Sequence, residues 1–187
     1  ALIAGLIEPI ARGLFYAPDY GFVHLDLKPD YVFVTADARV KILDSGIARF
    51  VGSATESDSF DAGELGALTL KYASLEMLQA GGQPHPADDV YALGLIAYEL
   101  YTGEHPFAGK NAREAQARGL TADPIKGIKR RQARAITAAL AFEQSERTQS
   151  AEAFLKGFSA RYNWSAPLLA AALLLALSSG YLAYQVM

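Results

Sequence analysis

Three observations predict a mainly α-helical protein with a small β-hairpin, followed by a single transmembrane helix. Apolar residues recur at helical spacing over several runs. Two short β-branched runs, Val32–Val34 and residues 40–43, are joined by Thr35-Ala36-Asp37-Ala38-Arg39, which is a hairpin signal. After Arg161 no charged residue remains, and residues 164–186 form one long apolar stretch.

Residues 2–17 place Leu6, Ile7, Ile10 and Leu14 on one helical face. Pro9 lies inside this run, where it either kinks the helix or opens its second part. The stretch His24-Leu25-Asp26-Leu27-Lys28-Pro29-Asp30-Tyr31 then reads as a loop running into the first hairpin strand. Tyr20-Gly21 marks a turn before it, and Pro29 stops any helix. Charged groups this close on a strand-bounded loop point at one small volume. Asp26 is suited to accept a proton from a hydroxyl, and Lys28 to sit against a phosphate oxygen.

Residues 51–66 are rich in Gly, Ser and acids without a period, so they read as a loop. Residues 87–102 form an apolar helix closed by Gly103 as a C-terminal cap. Helical signals follow over 112–118, 129–142 and 150–161. Lys126, Lys129, Arg130, Arg131 and Arg134 make a basic cluster. It is either a solvated helix face or a contact for an acidic partner or lipid headgroups.

A helix over 164–186 is long enough to cross the hydrocarbon layer, which takes about 20 residues at about 1.5 Å each. Trp164 at one end and Tyr181 and Tyr184 near the other suit the two interfaces. The rival reading is a buried core helix. Lys156 and Arg161 lie before the stretch and no cation lies after it. That predicts a single-pass membrane protein with the preceding domain in the cytoplasm and the membrane as a partner of the C-terminal helix.

The 187 residues carry 17 basic and 20 acidic side chains, a net charge of −3. This balance gives no pull toward nucleic acid. The absence of Cys excludes disulfides, thiolate nucleophiles and Cys-type zinc sites, and fits a reducing compartment. Of the three His residues, His85 and His105 each precede Pro and read as loop residues.

The loop around Asp26 resembles the catalytic loop of eukaryotic-type (Hanks-type) protein serine/threonine kinases, H-R-D-L-K-P-x-N. Other landmarks of that family's C-terminal lobe follow in order. Lys41-Ile42-Leu43-Asp44-Ser45-Gly46 stands where D-F-G is expected, and Tyr72-Ala73-Ser74-Leu75-Glu76 where Y-x-A-P-E is expected. Asp89-Val90-Tyr91-Ala92-Leu93-Gly94 looks like D-x-x-S-x-G, with Tyr98-Glu99-Leu100-Tyr101-Thr102-Gly103 through Pro106-Phe107 as its exit. Arg147 stands where the family has a late Arg. The resemblance covers roughly residues 5–160 and is closest in style to bacterial membrane-anchored members.

The resemblance implies a kinase-like C-terminal lobe, ATP and Mg2+ as cofactors, and a protein substrate with Ser or Thr. It implies that Asp26 takes the substrate proton, that Lys28 stabilises the transferring phosphoryl group and contacts ATP, and that Thr69 helps seat the substrate. Asp44 would ligate magnesium, and Phe33 would press on the adenine ring. His24, Asp89 and the pair Glu76–Arg147 would be structural. Ser53, Thr55, Ser57 and Ser59 would fall in the activation segment, as phosphorylation sites or as members of a solvated loop.

The departures bear on activity. Leu25 replaces the Arg that pairs with an activation-loop phosphate, Tyr31 the Asn that holds a second magnesium, Ser45 the Phe of D-F-G, and Leu75 the Pro of A-P-E. No G-x-G-x-x-G and no V-A-I-K occur among the 187 residues. Ala1 rather than Met opens the chain, so the natural N-terminus is expected further upstream. The expected layout is therefore a C-lobe over 1–160 with the N-lobe missing, a juxtamembrane stretch over 161–163 and a transmembrane helix over 164–186. Two functions are compatible with it: a Ser/Thr protein kinase represented by its C-lobe, and a catalytically impaired pseudokinase acting as a membrane-anchored interaction module.

Overall fold

The computed structural model describes residues 2–16, 22–43, 49–50, 70–79 and 83–160. Helix α1 (Leu2–Tyr16) runs unbroken through Pro9. Strand β1 (Phe22–Val23) pairs antiparallel with β4 (Arg49–Phe50). Strand β2 (Val32–Val34) pairs antiparallel with β3 (Val40–Ile42), with Phe33 opposite Lys41. Among the described residues four α-helices follow: α2 (Pro86–Thr102), α3 (Ala112–Ala117), α4 (Arg130–Ala139) and α5 (Ala151–Phe158).

Helix α2 is the axis of the fold. Every residue from Ala87 to Tyr98 is buried; from Val90 on the helix is apolar on all sides, as expected for a buried helix, and the buried Asp88 and Asp89 are hydrogen-bonded. Its start is fixed by reciprocal capping: His85 Nδ1 accepts the Ala87 N–H at 3.1 Å, and Asp88 Oδ2 accepts the His85 N–H at 2.9 Å. Pro86, at the first turn, has no N–H to leave unpaired. Gly103 ends the helix in the left-handed conformation, φ +78°.

Around α2 pack Ile7, Ile10 and Leu14 of α1, Ile136 and Ala139 of α4, and Phe154, Leu155 and Phe158 of α5, all buried. Gly94 lets α4 approach: a Cβ there would lie 2.8 Å from Ala139 Cβ. The hairpin lies against α1, where a Cβ at Gly13 would lie 2.9 Å from Ile42 Cδ1.

The fold expected from the sequence is corrected in one part. Among the described residues no helix is long and apolar enough to cross a membrane. The stretch 164–186 lies outside the described residues. The architecture of the described residues is thus mainly helical with two small antiparallel strand pairs, and no membrane-spanning helix is among them. The longest described helix, α2, has 17 residues, fewer than the roughly 20 that a span takes, and it packs its apolar length against neighbouring helices.

Candidate active site

The loop between β1 and β2 is held from below by the N-terminus of α2. Asp89 Oδ2 accepts the His24 N–H and Oδ1 accepts the Leu25 N–H, each at 2.8 Å. Leu25 is buried and takes φ +63°, a left-handed conformation that costs a non-glycine residue about 1–2 kcal/mol. The two bonds to Asp89 and the burial of the Leu25 side chain hold it there. Burial pushes the Asp89 carboxyl up to about 6, against the lowering effect of the two N–H donors and of His24.

His24 ties the loop to the end of the hairpin. Its Nε2 lies 2.8 Å from the Leu43 carbonyl, and its Nδ1 accepts the Asp26 N–H at 3.3 Å. A carbonyl only accepts and an amide N–H only donates, so the ring carries its proton on Nε2. The position of Asp26 therefore depends on the backbone to which Asp44 is attached, one residue beyond Leu43.

Asp26 is 7% exposed. Its Oδ2 lies 3.5 Å from Lys28 Nζ. Its Oδ1 is buried and meets no hydrogen-bond donor among the described residues, a costly state for a carboxylate oxygen unless a donor arrives. Lys28 Nζ stands 4.5 Å from the centroid of the Tyr31 ring, within cation–π range. That ring in turn lies 6.3 Å from the His24 ring. Tyr31 belongs to the 3-10 turn Pro29–Tyr31, and its carbonyl accepts the Leu43 N–H at 2.8 Å.

The structure thus brings His24, Asp26, Lys28, Tyr31 and Asp89 together. Phe33 is half exposed on β2. Asp44, Ser45, Thr69, Ser53, Thr55, Ser57 and Ser59 lie outside the described residues.

Glu76 and Arg147 meet below this loop. Arg147 Nη2 donates to Glu76 Oε2 at 2.8 Å, with the guanidinium fully buried. Arg147 Nη2 also donates to the Phe142 carbonyl, Nε to the Ala141 carbonyl and Nη1 to the Ala87 carbonyl. Its plane lies 5.1 Å from the Tyr91 ring centroid. Burial pulls the Glu76 carboxyl up, but hydrogen bonds and the Arg147 charge outweigh it and hold the group below its ordinary range.

Sequence reasoning passed over Ser74 and Asp88. Ser74 Oγ donates to Asp88 Oδ1 at 2.7 Å and accepts the Met77 N–H at 3.2 Å. Asp88 also lies 3.7 Å from Arg147. Burial nonetheless raises its carboxyl above the ordinary range. The signal was a second acid beside Asp89, three residues after His85 and so at the N3 capping position.

A neutral helix-capping loop has no need of a buried carboxylate and an ammonium directed at the same volume, and comparison with known proteins agrees with that chemistry. The protein kinase domain family model matches residues 2–161. The chain belongs to the protein kinase family, and among its members it resembles bacterial Hanks-type serine/threonine kinases. It is 35% identical over 122 residues to the probable serine/threonine-protein kinase PknB of Corynebacterium glutamicum, a match covering 65% of this chain and 18% of that protein. It is 35% identical over 121 residues to the serine/threonine-protein kinase PknL of Mycobacterium tuberculosis, covering 65% and 29% respectively. Against PknB of Mycobacterium tuberculosis the identity is 32% over 120 residues, covering 64% and 19%. The matched stretch is less than a third of the length of each of these relatives.

Proposed function

We propose that residues 1–160 form the C-terminal lobe of a protein serine/threonine kinase that transfers the γ-phosphoryl group of ATP to a protein hydroxyl. The observation that carries this reading is the Asp26 carboxylate, with Oδ2 on Lys28 and a buried Oδ1 that has no donor among the described residues. A substrate Ser or Thr hydroxyl supplies that donor. As its oxygen bonds to the γ-phosphorus and the bond to the bridging oxygen breaks, its proton passes to Asp26. Lys28, close enough to hold one carboxylate oxygen, offsets the charge on the moving phosphoryl group. Thr69 is assigned to seating the substrate, and Asp44 to the metal.

The residues fit a nucleotide. Phe33 offers a half-exposed apolar ring where the family packs the adenine. Magnesium, when bound, neutralises phosphate charge. Its donor set is short here, because Tyr31 brings a phenol, a weaker ligand for a hard cation than an amide carbonyl. That single feature favours a second reading, a pseudokinase that binds nucleotide or partners without turnover.

The deciding experiment compares the full-length protein with its Asp26→Asn variant, using labelled ATP, magnesium and a Ser/Thr-containing acceptor protein. Phosphotransfer should fall by about 10^2- to 10^4-fold with nucleotide affinity unchanged. Equal labelling by both forms rejects the assignment of Asp26. Nucleotide binding with no turnover in either form selects the pseudokinase.

A further inference from the structure

The first turn of α2 carries two adjacent acids, Asp88 and Asp89, both buried. Successive side chains leave a helix about 100° apart, so the two carboxylates face different neighbours. Asp89 holds the His24 and Leu25 N–H groups of the loop that carries Asp26, at 2.8 Å each. Asp88 faces the segment 70–79 instead. Its Oδ1 accepts the Ser74 hydroxyl at 2.7 Å, while its Oδ2 accepts the His85 N–H at 2.9 Å. Ser74 Oγ in turn accepts the Met77 N–H at 3.2 Å.

The Ala73, Leu78 and Gln79 N–H groups pair with carbonyls of the segment itself. Tyr72, Leu75 and Met77 pack it onto the apolar core, but apolar packing has no direction. Its register on the lobe is therefore set by side-chain hydrogen bonds: Tyr72 to Glu99, Ser74 to Asp88, and Arg147 to Glu76. Glu99 and Glu76 are only half-buried. Ser74 is 0% exposed and Asp88 2%, so breaking this central bond leaves both groups without water to replace it.

We propose that Ser74 and Asp88 are positioning residues for the protein acceptor: through them the start of α2 anchors segment 70–79 in register with the Asp26 loop. One helix end then holds both sides of the reaction. Asp89 fixes the loop that takes the proton, and Asp88 fixes the segment that directly follows Thr69 in the chain. The positive end of the helix stabilises both carboxylates, and the Asp88–His85 bond ties the anchor to the cap itself. The effect on the acceptor rests on the phosphotransfer reading, in which Thr69 seats the substrate; the anchoring of the segment does not.

The test uses Ser74→Ala in the full-length protein, with Ile136→Val in the buried face of α4 as a control that loosens the lobe elsewhere. Ser74→Cys keeps the shape with a weaker donor and serves should Ser74→Ala fold poorly; circular dichroism checks all three. Hydrogen exchange read by mass spectrometry should quicken about tenfold across 70–79 in the Ser74 variants, the loss of one bond to a charged group. The Asp26 loop should keep its rates, and Ile136→Val should leave 70–79 protected. With casein as acceptor, KM for casein should rise by a similar factor while kcat and KM for ATP hold, the mark of lost acceptor binding. Unchanged exchange in the folded Ser74 variants overturns the anchor. Faster exchange with an unchanged acceptor KM, or an equal rise of KM in Ile136→Val, overturns the positioning role. Should wild type transfer no phosphate, the phosphotransfer reading and the acceptor role fall together, while the exchange rates still decide the anchor.

Discussion

The Leu25 N–H donates to Asp89 Oδ1 at 2.8 Å, across 64 residues of sequence. This bond joins the loop that carries Asp26 to the buried start of α2. It also makes a strained residue tolerable, since Leu25 keeps φ +63° only while its N–H and the one before it are held. Loop geometry and helix stability are coupled through one carboxylate.

That coupling has a pH signature. The folded Asp89 carboxyl titrates near 6, above its unfolded value of 3.8. A raised acid binds its proton more tightly in the folded state, so its contribution to stability is complete below about 4 and is lost as pH rises through about 6. Asp88 shifts in the same direction and Glu76 in the opposite one. The difference between wild type and Asp89→Asn isolates the term. In urea unfolding from pH 4 to pH 7 the stability of wild type relative to Asp89→Asn should fall as pH rises. Stability curves that stay parallel across this window contradict the assignment.

The buried Arg147 should be the more costly residue to lose. Arg147→Met strands Glu76 and releases the carbonyls of Ala87, Ala141 and Phe142. Breaking a buried pair from one side typically costs about 3–5 kcal/mol. The double variant Glu76→Gln/Arg147→Met should recover part of that loss, because no charge is then left alone. Denaturant midpoints of the four proteins measure the coupling. Strictly additive losses mean the ion pair contributes nothing of its own.

Gly94→Ala tests the closest helix approach. The new methyl carbon would lie 2.8 Å from Ala139 Cβ and 3.3 Å from the Ala139 carbonyl carbon. Alanine favours helix, by about 1 kcal/mol over glycine. Overpacking of this kind costs about 1–3 kcal/mol, and the contact is partly with backbone, which cannot rotate away. We expect net destabilisation, read as a lower thermal midpoint. A stabilised variant would show that α4 can shift outward freely.

Much of this arrangement was legible because its residues stand at fixed spacings. Asp26, Lys28, Asp89, Glu76 and Arg147 were each placed by ordered motifs, and the structure brings Asp89 to the loop and Glu76 to Arg147. The helices were legible from period alone, to within a few residues at their ends. The β1–β4 pair was not, because two-residue strands carry no period. Neither was the left-handed Leu25, since Leu has no preference for that conformation. The Ser74–Asp88 bond joins residues 14 apart whose types are ordinary on any surface. The apolar run 164–186 reads as a membrane span by hydropathy, but period and length alone do not specify where a chain lies.

Tyr31 offers the sharpest test of the catalytic reading. Its ring stands 4.5 Å from Lys28 Nζ and 6.3 Å from the His24 ring, so it occupies the volume beside Lys28, one of the two groups assigned to phosphoryl transfer. An amide at this position would give a carbonyl oxygen, a better magnesium ligand than a phenol. It would also release Lys28 from the ring face, a contact of about 0.5–1 kcal/mol at exposed sites. In the full-length protein, Tyr31→Asn should therefore raise turnover and lower the magnesium concentration needed for half-maximal rate. Tyr31→Phe should do neither, because it keeps the ring over Lys28 and adds no oxygen. The measurement is phosphotransfer rate against magnesium concentration for the three proteins, each checked for folding. If the folded Tyr31→Asn protein shows the parental rate and the parental magnesium dependence, the phenol is not what limits the site, and the pseudokinase reading loses the observation that favours it.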